Sequence, residues 1–156
     1  MERFATTLFC DDVRQEVGNK VSLMGCYGHE LFVEKFPIAL PKLCGHVRVV
    51  TPIERPFLTV RFKAFVGEDL LPQTIDVPKS LLDKLFAEMP RNLDATMLQV
   101  GAILSFVPFF APGPTSLRIM AETEEGELLA GRLWIKTLES KVADAPAQNT
   151  EPSLAG

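Results

Sequence analysis

Apolar and polar residues alternate along several stretches of the chain, and this alternation predicts β-strands. In segment 57–64, one face carries Leu58, Val60, Phe62 and Ala64, and the other carries Thr59, Arg61 and Lys63. A strand with one buried face and one exposed face requires this period of two. The same pattern recurs in two later segments, 117–122 and 129–136.

Four earlier strands and one longer strand complete the expected set. The earlier strands lie at 4–9, 21–26, 30–33 and 43–50. The longer segment, 96–107, is apolar at both odd and even positions, which is typical of a strand that is central or covered on both faces. Residues 17–20 have the composition of a tight turn, and Gly126 can provide the positive φ of a hairpin between the last two strands.

One helix is predicted over 80–89. Ser80 can cap its first turn, Asp83 follows three residues later, and Pro90 ends it. An apolar stripe on this helix would face the sheets, and it consists of Leu81, Leu82, Leu85, Phe86 and Met89.

Many short strands and a single helix favour an all-β fold, an antiparallel β-sandwich of about seven to eight strands with one short helix. An α/β fold would need several helices between its strands. We expect the sandwich domain to span 1–137. Residues 138–156 are rich in Ala, Pro, Ser, Gln and Asn, and such a composition buries too little apolar surface to offset the entropy of ordering. We therefore predict a flexible C-terminal tail.

Composition and charge limit the expected cellular compartment and the expected classes of binding partner. The chain is 47% hydrophobic and 23% charged, as in an ordinary folded protein. Its net charge of −4 removes the usual electrostatic reason to bind nucleic acid or an anionic membrane, so neither is expected as a partner. The first residues lack the basic start and continuous apolar run of a secretory signal, and the three cysteines have no disulfide-framework spacing. These features predict a cytoplasmic location.

Catalytic motifs are absent from the sequence. Gly25 and Gly28 lack the helix and lysine that a glycine-rich phosphate loop needs. The chain has only His29 and His46 as histidine bases, and no serine stands in a nucleophile-elbow pentapeptide. Two aspartates follow Cys10 and disfavour its thiolate. The expectation is a protein that is not an enzyme and uses no cofactor, with a hydrolase site at the sandwich rim as the weakest alternative.

One set of side chains suggests a metal site. Cys26, His29, Cys44 and His46 form the pattern C-x-x-H followed by C-x-H, and zinc accepts two thiolates and two imidazoles in a tetrahedron. The spacing departs from common zinc knuckles, and buried thiols with a strand-face histidine explain the same residues without a metal. The preferred expectation is no metal, and a zinc-stabilised domain is the alternative.

Charged residues gather between the first two expected strands. We call this group the charged corner, and it consists of Asp11, Asp12, Arg14, Glu16 and Lys20. The cations among these acids disfavour a calcium or magnesium site. We expect a structural turn whose carboxylates accept hydrogen bonds from backbone amides, Arg14 and Lys20.

The segment 106–114 places three phenylalanines among prolines. A loop cannot easily bury all of Phe106, Phe109 and Phe110, and exposed apolar patches mark partner surfaces. The alternative is that Phe106 belongs to the core and the other two rings close the end of the sandwich beside the helix. The first interpretation makes these three residues a binding site for another protein or for a second copy of the chain.

Residues 8–27 read LFCDDVRQEVGNKVSLMGCY. This segment resembles the opening of a family of small, uncharacterised bacterial and phage-associated β-sandwich proteins, in which a Cys-Asp-Asp strand leads through an Arg/Glu/Lys turn to a Leu-x-Gly strand. Residues 36–43 and the hairpin around Gly126 are also similar, so the resemblance spans about 4–135. It implies a β-sandwich with no established activity or ligand. The function we expect is a non-enzymatic protein-interaction or assembly module.

Overall fold

The computed structural model describes residues 2–89 and 94–145 of the chain. Their elements in chain order are β1 (Phe4–Glu16), β2 (Lys20–Cys26), β3 (Glu30–Val33), β4 (Ile38–Leu40), β5 (Leu43–Pro52), β6 (Val60–Val66), β7 (Asp69–Leu70), β8 (Ile75–Val77), α1 (Lys79–Ala87), β9 (Met97–Phe106), β10 (Phe109–Ala111), β11 (Thr115–Thr123), β12 (Gly126–Thr137) and α2 (Leu138–Ala143). The predicted all-β class with a short helix is confirmed. The strands outnumber the seven or eight expected because five of them are only two to four residues long.

Two large sheets form the layers of the sandwich. One has the strand order β2-β1-β5-β9, and the other has the order β3-β12-β11-β6, with β7 and β8 both paired to β6. The only parallel pair within the described residues is β3 with β12. A separate two-stranded sheet joins β4 to β10. The large sheets approach closely, since a Cβ added to Gly131 of β12 would lie 2.9 Å from the Cβ of Thr7 in β1.

The alternation seen in the sequence separates core from surface in the central strands. Leu117, Ile119 and Ala121 of β11 are fully buried, and the residues between them are less so. In β6, Val60, Phe62 and Ala64 face the core. This strand begins three residues later than expected, so Leu58 is 58% exposed and Phe57 is buried instead.

Both predicted turns are present. The residues between β1 and β2 include Gly18 and Asn19 with φ of 83° and 57°, and Gly126 begins β12 with φ of 128°. In β12 the pairing shifts, because Ile119 is opposite Gly131 while Met120 is opposite Leu129. This β-bulge adds Ala130, which is buried, and it turns Leu129 outward, so the simple alternation expected for 129–136 does not hold throughout.

The expectation that segment 96–107 is covered on both faces is wrong. The strand β9 lies at the end of the four-stranded sheet and pairs with β5 within the described residues. Leu98, Val100 and Leu104 face the core, whereas Gln99 and Ser105 are exposed on the other face. Gln99, Gly101 and Ser105 therefore face solvent, and Ile103 on the same face is half-buried.

The first helix starts differently from the prediction. Pro78 occupies the capping position and no side chain caps the helix, so Ser80 lies within the first turn. Leu82 is buried, but Leu81 and Phe86 are 44% and 42% exposed, so the apolar stripe is narrower than expected. Pro90 lies outside the described residues.

The chain after β12 begins with a helix where a flexible tail was expected. The helix α2 covers Leu138–Ala143, and its N-terminal end is held by a hydrogen bond from Ser140 Oγ to the Thr137 carbonyl oxygen (2.6 Å). Residues 146–156 of the expected tail lie outside the described residues. Neither α1 nor α2 has the length and hydrophobicity that a bilayer crossing requires, and these are the helices of residues 2–89 and 94–145.

Candidate partner-binding surface

The strand β10 alternates its side chains between the core and the solvent. It pairs antiparallel with β4, so that Phe109 is opposite Leu40 and Phe110 is opposite Ala39. Phe109 is 2% exposed, whereas Phe110 is 58% exposed and Ala39 beside it is exposed as well. The prolines around this segment therefore flank a short strand, and strand alternation places one phenylalanine outside.

The other two aromatic residues of the expected site belong to the core. Phe106 at the end of β9 is 1% exposed, and its ring meets the ring of Phe109 edge-on, with 6.1 Å between centroids and an angle of 77°. This is a favourable aromatic arrangement. The partner-binding prediction therefore fails for Phe106 and Phe109 as contact residues, since buried rings cannot meet a partner, and only Phe110 has an exposed side chain.

A shallow cleft lies against these three rings. Its volume is about 290 Å³, and it is lined by Val66, Leu71, Pro72, Gln73, Phe106, Pro108, Phe109 and Phe110. None of these side chains is charged. The volume is close to the lower bound of roughly 300 Å³ for small-molecule pockets, so the cleft suits one or two apolar side chains better than a cofactor.

Gln73 is the polar member of this lining. Its Oε1 atom is buried and has no hydrogen-bond partner among the described residues. A buried carbonyl oxygen without a donor carries a desolvation penalty of about 1–3 kcal/mol. Because this oxygen is closed to solvent, it is not an open contact point for a ligand in the cleft.

A second aromatic surface lies on the outer face of the larger sheet, and sequence analysis did not identify it. Arg118 and Arg132 are directly opposite each other on β11 and β12. Their guanidinium carbons lie 4.9 Å from the Phe65 centroid and 5.2 Å from the Trp134 centroid, respectively. Cations cover these rings, so the Phe110 surface is the more suitable one for an apolar partner.

The proposed zinc ligands are not brought together. Cys10 of β1 is directly opposite Cys26 of β2 on one side and Cys44 of β5 on the other. The backbones of Cys26 and Cys44 are therefore two strand spacings apart, roughly 9.5 Å. Two cysteine sulfurs that bind one zinc ion lie within about 4 Å of each other. Among residues 2–89 and 94–145, no group of three or more His, Cys, Asp and Glu side chains is arranged to hold a metal.

The two histidines also occupy separate places. His29 lies in the loop before β3, and its carbonyl oxygen accepts a hydrogen bond from the Trp134 amide (2.9 Å). His46 lies within β5, opposite Leu8 and Ile103. Burial, together with the nearby charge of Arg48, lowers the pKa of His46. Both neighbours across the strands are apolar, so His46 has no carboxylate there to orient it as a base.

The charged corner is not a turn. Asp11, Asp12 and Arg14 lie within β1, which continues to Glu16, and the turn follows it. Asp12 pairs mainly with Lys42, and its Oδ2 lies 3.7 Å from Arg14 Nε. The hydrogen bond from Lys42 is the main cause that lowers the pKa of Asp12, and the same contact raises the pKa of Lys42.

The remaining acids of the corner accept hydrogen bonds from hydroxyl groups. The Tyr27 hydroxyl donates to Asp11 Oδ1, and Ser22 Oγ donates to Glu16 Oε1 (2.9 Å). Burial, followed by this bond to Asp11, raises the pKa of Tyr27 to about 12. These contacts join β1 to β2 and to Tyr27, the residue that follows β2, and they support a structural role for the charged corner. The expected partner Lys20 is replaced by Lys42 and Tyr27.

A buried arginine near the start of the chain was missed by sequence analysis. The side chain of Arg3 is 5% exposed and pairs with Glu124 in the β11–β12 turn at 2.5 Å. Its Nε donates to Thr51 Oγ1 (2.9 Å), and its guanidinium lies 4.7 Å from the Phe57 centroid. A single arginine before the first strand has no sequence pattern to mark it.

Comparisons of the chain with protein-family models, with curated proteins and with solved structures return no match.

Proposed function

We propose that the protein is a non-enzymatic binding module, and that its Phe110 surface holds a short apolar segment of another protein. The Phe110 surface is defined as Phe110 together with the adjoining 290 Å³ cleft. The observation that carries the proposal is the 58% exposure of the Phe110 ring next to an uncharged concavity. Burial of such apolar surface against a partner contributes a favourable free energy of roughly 25 cal/mol per Å².

The chemistry of the cleft supports binding over catalysis. Its lining consists of Val, Leu, Pro, Phe and one Gln, and none of these side chains is an acid, a base or a nucleophile at neutral pH. The partner segment would place an apolar side chain against Phe110 and in the adjoining cleft. An extended peptide presents alternate side chains to a pocket of this kind.

The setting of the module is also part of the proposal. The chain has three cysteines, an odd number without the spacing of a disulfide framework, which supports a reducing compartment such as the cytoplasm. The resemblance of residues 8–27 to phage-associated proteins supports a bacterial or phage partner.

The experiment is a selection of short random peptides displayed against the immobilised full chain. Phe110→Asp serves as the counter-selection variant, because it places a charge on an exposed ring position. Leu129→Asp is the matched control, because Leu129 is a strand residue with 53% exposure and is not part of the cleft lining. We expect peptides with a large apolar side chain to bind the native chain and Leu129→Asp, and to lose at least tenfold affinity for Phe110→Asp.

Two outcomes contradict the proposal. Selected peptides that bind Phe110→Asp as well as they bind the native chain would show that the surface is not used. The mass of the native chain in solution, measured by light scattering over a range of concentrations, gives the second check. A dimer that Phe110→Asp dissociates would assign the surface to a second copy instead of a separate partner.

A further inference from the structure

Three cysteines that are distant in the sequence form one row across three strands. Cys10 is directly opposite Cys26 in the β1–β2 pair and directly opposite Cys44 in the β1–β5 pair. Residues directly opposite each other in antiparallel strands point to the same face, with Cβ atoms about 4.5–5.5 Å apart. The central thiol of Cys10 therefore has a cysteine neighbour on each side.

The backbone hydrogen bonds distinguish these two neighbours. The Tyr27 amide donates to the Phe9 carbonyl oxygen at 2.8 Å, so the polar backbone groups of Phe9 face β2. Backbone groups alternate in direction along a strand, and those of Cys10 consequently face β5. Cys10 and Cys26 thus form a non-hydrogen-bonded pair, and in a regular antiparallel ladder such pairs have Cα atoms about 4.5 Å apart and the closest side chains.

This pairing favours a bond between Cys10 and Cys26. A disulfide needs Cα atoms roughly 4.4–6.8 Å apart and Cβ atoms about 3.8 Å apart. The Cys10–Cys44 pair is the hydrogen-bonded kind, with Cα atoms about 5.5 Å apart and side chains further separated. The Sγ atom of Cys44 also has another contact, with Ser105 Oγ at 3.5 Å.

Solvent exposure also distinguishes Cys26 from the other two cysteines. Cys26 is exposed on the edge strand β2, whereas Cys10 and Cys44 are both 0% exposed. A dissolved oxidant therefore reaches the Cys26 sulfur first. The buried Cys10 thiol lies next to it in the sheet and has the position of a resolving cysteine.

We propose that Cys26 and Cys10 are a peroxide-sensitive dithiol that closes to a disulfide between β1 and β2. The Cys26 thiolate attacks one oxygen of hydrogen peroxide, the O–O bond breaks, and the products are a sulfenic acid on Cys26 and hydroxide, which takes up a proton to form water. The Cys10 sulfur then attacks the Cys26 sulfur. The S–S bond forms, the S–O bond breaks, and water leaves with the proton of Cys10. Two electrons pass from the thiols to one peroxide, and a thiol reductant restores both cysteines.

Formation of the Cys10–Cys26 disulfide would link the edge strand β2 of the four-stranded sheet covalently to β1. The strand β2 is paired with β1 on one side, within the described residues. A covalent link from Cys10 to Cys26 restricts the intervening loop in the unfolded chain, so we expect the melting temperature of the oxidised protein to rise by several degrees. This site is separate from the Phe110 surface and does not depend on its function.

Tryptic digestion identifies the bond directly, because the three cysteines lie in different peptides. Cleavage after Lys and Arg places Cys10 in 4–14, Cys26 in 21–35 and Cys44 in 43–48. The reduced full chain is treated with stoichiometric hydrogen peroxide, alkylated and digested without reductant. We expect 4–14 joined to 21–35, and one of the three thiols left free for alkylation.

Variants separate the two possible pairs. The native chain should lose two of its three thiols on oxidation. Cys44→Ala should lose both of its remaining thiols, those of Cys10 and Cys26. Cys26→Ser should keep both of its remaining thiols, those of Cys10 and Cys44. A bond between 4–14 and 43–48, a Cys26–Cys26 dimer, or three free thiols after treatment would each overturn the proposal.

The pH dependence of closure provides a second measurement. Burial, followed by the nearby cysteines Cys44 and Cys26, raises the pKa of Cys10 to about 11. The attacking thiolate is therefore scarce at neutral pH, and its population grows about tenfold per pH unit below that pKa. We expect the sulfenic acid on Cys26 to be trapped by dimedone at pH 7 and to close about tenfold faster for each unit of pH up to 9. A closure rate independent of pH over this range would exclude Cys10 as the attacking thiol.

Discussion

Phe109 and Phe110 are adjacent in the sequence and lie on opposite faces of β10, one 2% and the other 58% exposed. The pairing of β10 with β4 fixes this difference, because it holds both residues in an extended conformation. The same aromatic side chain thus serves the core at one position and forms a surface at the next.

This relationship predicts opposite consequences for stability. Phe109→Ala should lower the free energy of unfolding by about 4 kcal/mol, since it removes a buried ring that packs against Phe106. Phe110→Ala should change it by no more than about 0.5 kcal/mol. Urea denaturation of both variants measures the difference, and equal losses would mean that Phe110 is packed like a core residue.

The close approach of the two sheets predicts a sensitive glycine. A Cβ on Gly131 would lie 2.9 Å from the Thr7 Cβ and 3.3 Å from the Phe9 ring. Gly131→Ala should therefore destabilise the fold by about 2 kcal/mol through overpacking. Gly113→Ala is the matched control, because nothing lies within 4 Å of its added Cβ. Equal stability of the two variants in urea would contradict this packing of β12 on β1.

The buried guanidinium near the chain start predicts a large effect of one arginine. Arg3→Met should cost about 2 kcal/mol of unfolding free energy, since it removes the hydrogen bonds of Arg3 to Thr51 Oγ1 and to the Arg55 carbonyl oxygen and its ion pair with Glu124. Lys79→Met is the control, because Lys79 is 68% exposed and pairs with Asp83 on the helix surface, and it should cost at most about 0.5 kcal/mol. A loss for Arg3→Met no greater than that of the control would show that the pair adds nothing to stability.

The same pair predicts how stability depends on pH. Burial raises the pKa of Glu124, but hydrogen bonds from the amides of Thr59, Glu124 itself and Leu58 and from Arg3 outweigh it, so the pKa is lowered from 4.5. A lowered pKa stabilises the folded state above 4.5, and this contribution is lost as the pH falls below that value. Glu124→Gln should therefore cost about 2 kcal/mol at pH 7 and progressively less below pH 4.5. Denaturation curves from pH 7 to pH 3 test this, and a constant difference between the two proteins would contradict it.

Local alternation was sufficient to predict much of the sandwich. The buried and exposed positions of 117–122 and the hairpin at Gly126 both depend on neighbouring residues, and the structure confirms them. Sheet order depends on distant residues, and so the edge position of β9 was missed. The parallel pairing of Lys136 in β12 with Phe32 in β3 likewise has no local signal.

The candidate site also depends on strand pairing between distant residues, which local sequence patterns do not predict. Three phenylalanines among prolines could be recognised from the sequence, but which ring is exposed depends on the register of β10 against β4. The row of Cys10, Cys26 and Cys44 requires the registers of two strand pairs. The charged corner was expected to be a turn because its residues lie between the first two expected strands, yet pairing with β2 extends β1 through it.

The most direct test of the Phe110 surface is NMR titration of the isotope-labelled chain with a peptide selected against it. We expect amide shifts concentrated at 66, 71–73 and 106–111, the segments that line the cleft or adjoin Phe110. Phe110→Asp should abolish these shifts, and Leu129→Asp should preserve them. Shifts concentrated instead around Trp134 and Arg132, or unchanged in Phe110→Asp, would contradict the assignment of this surface as the binding site.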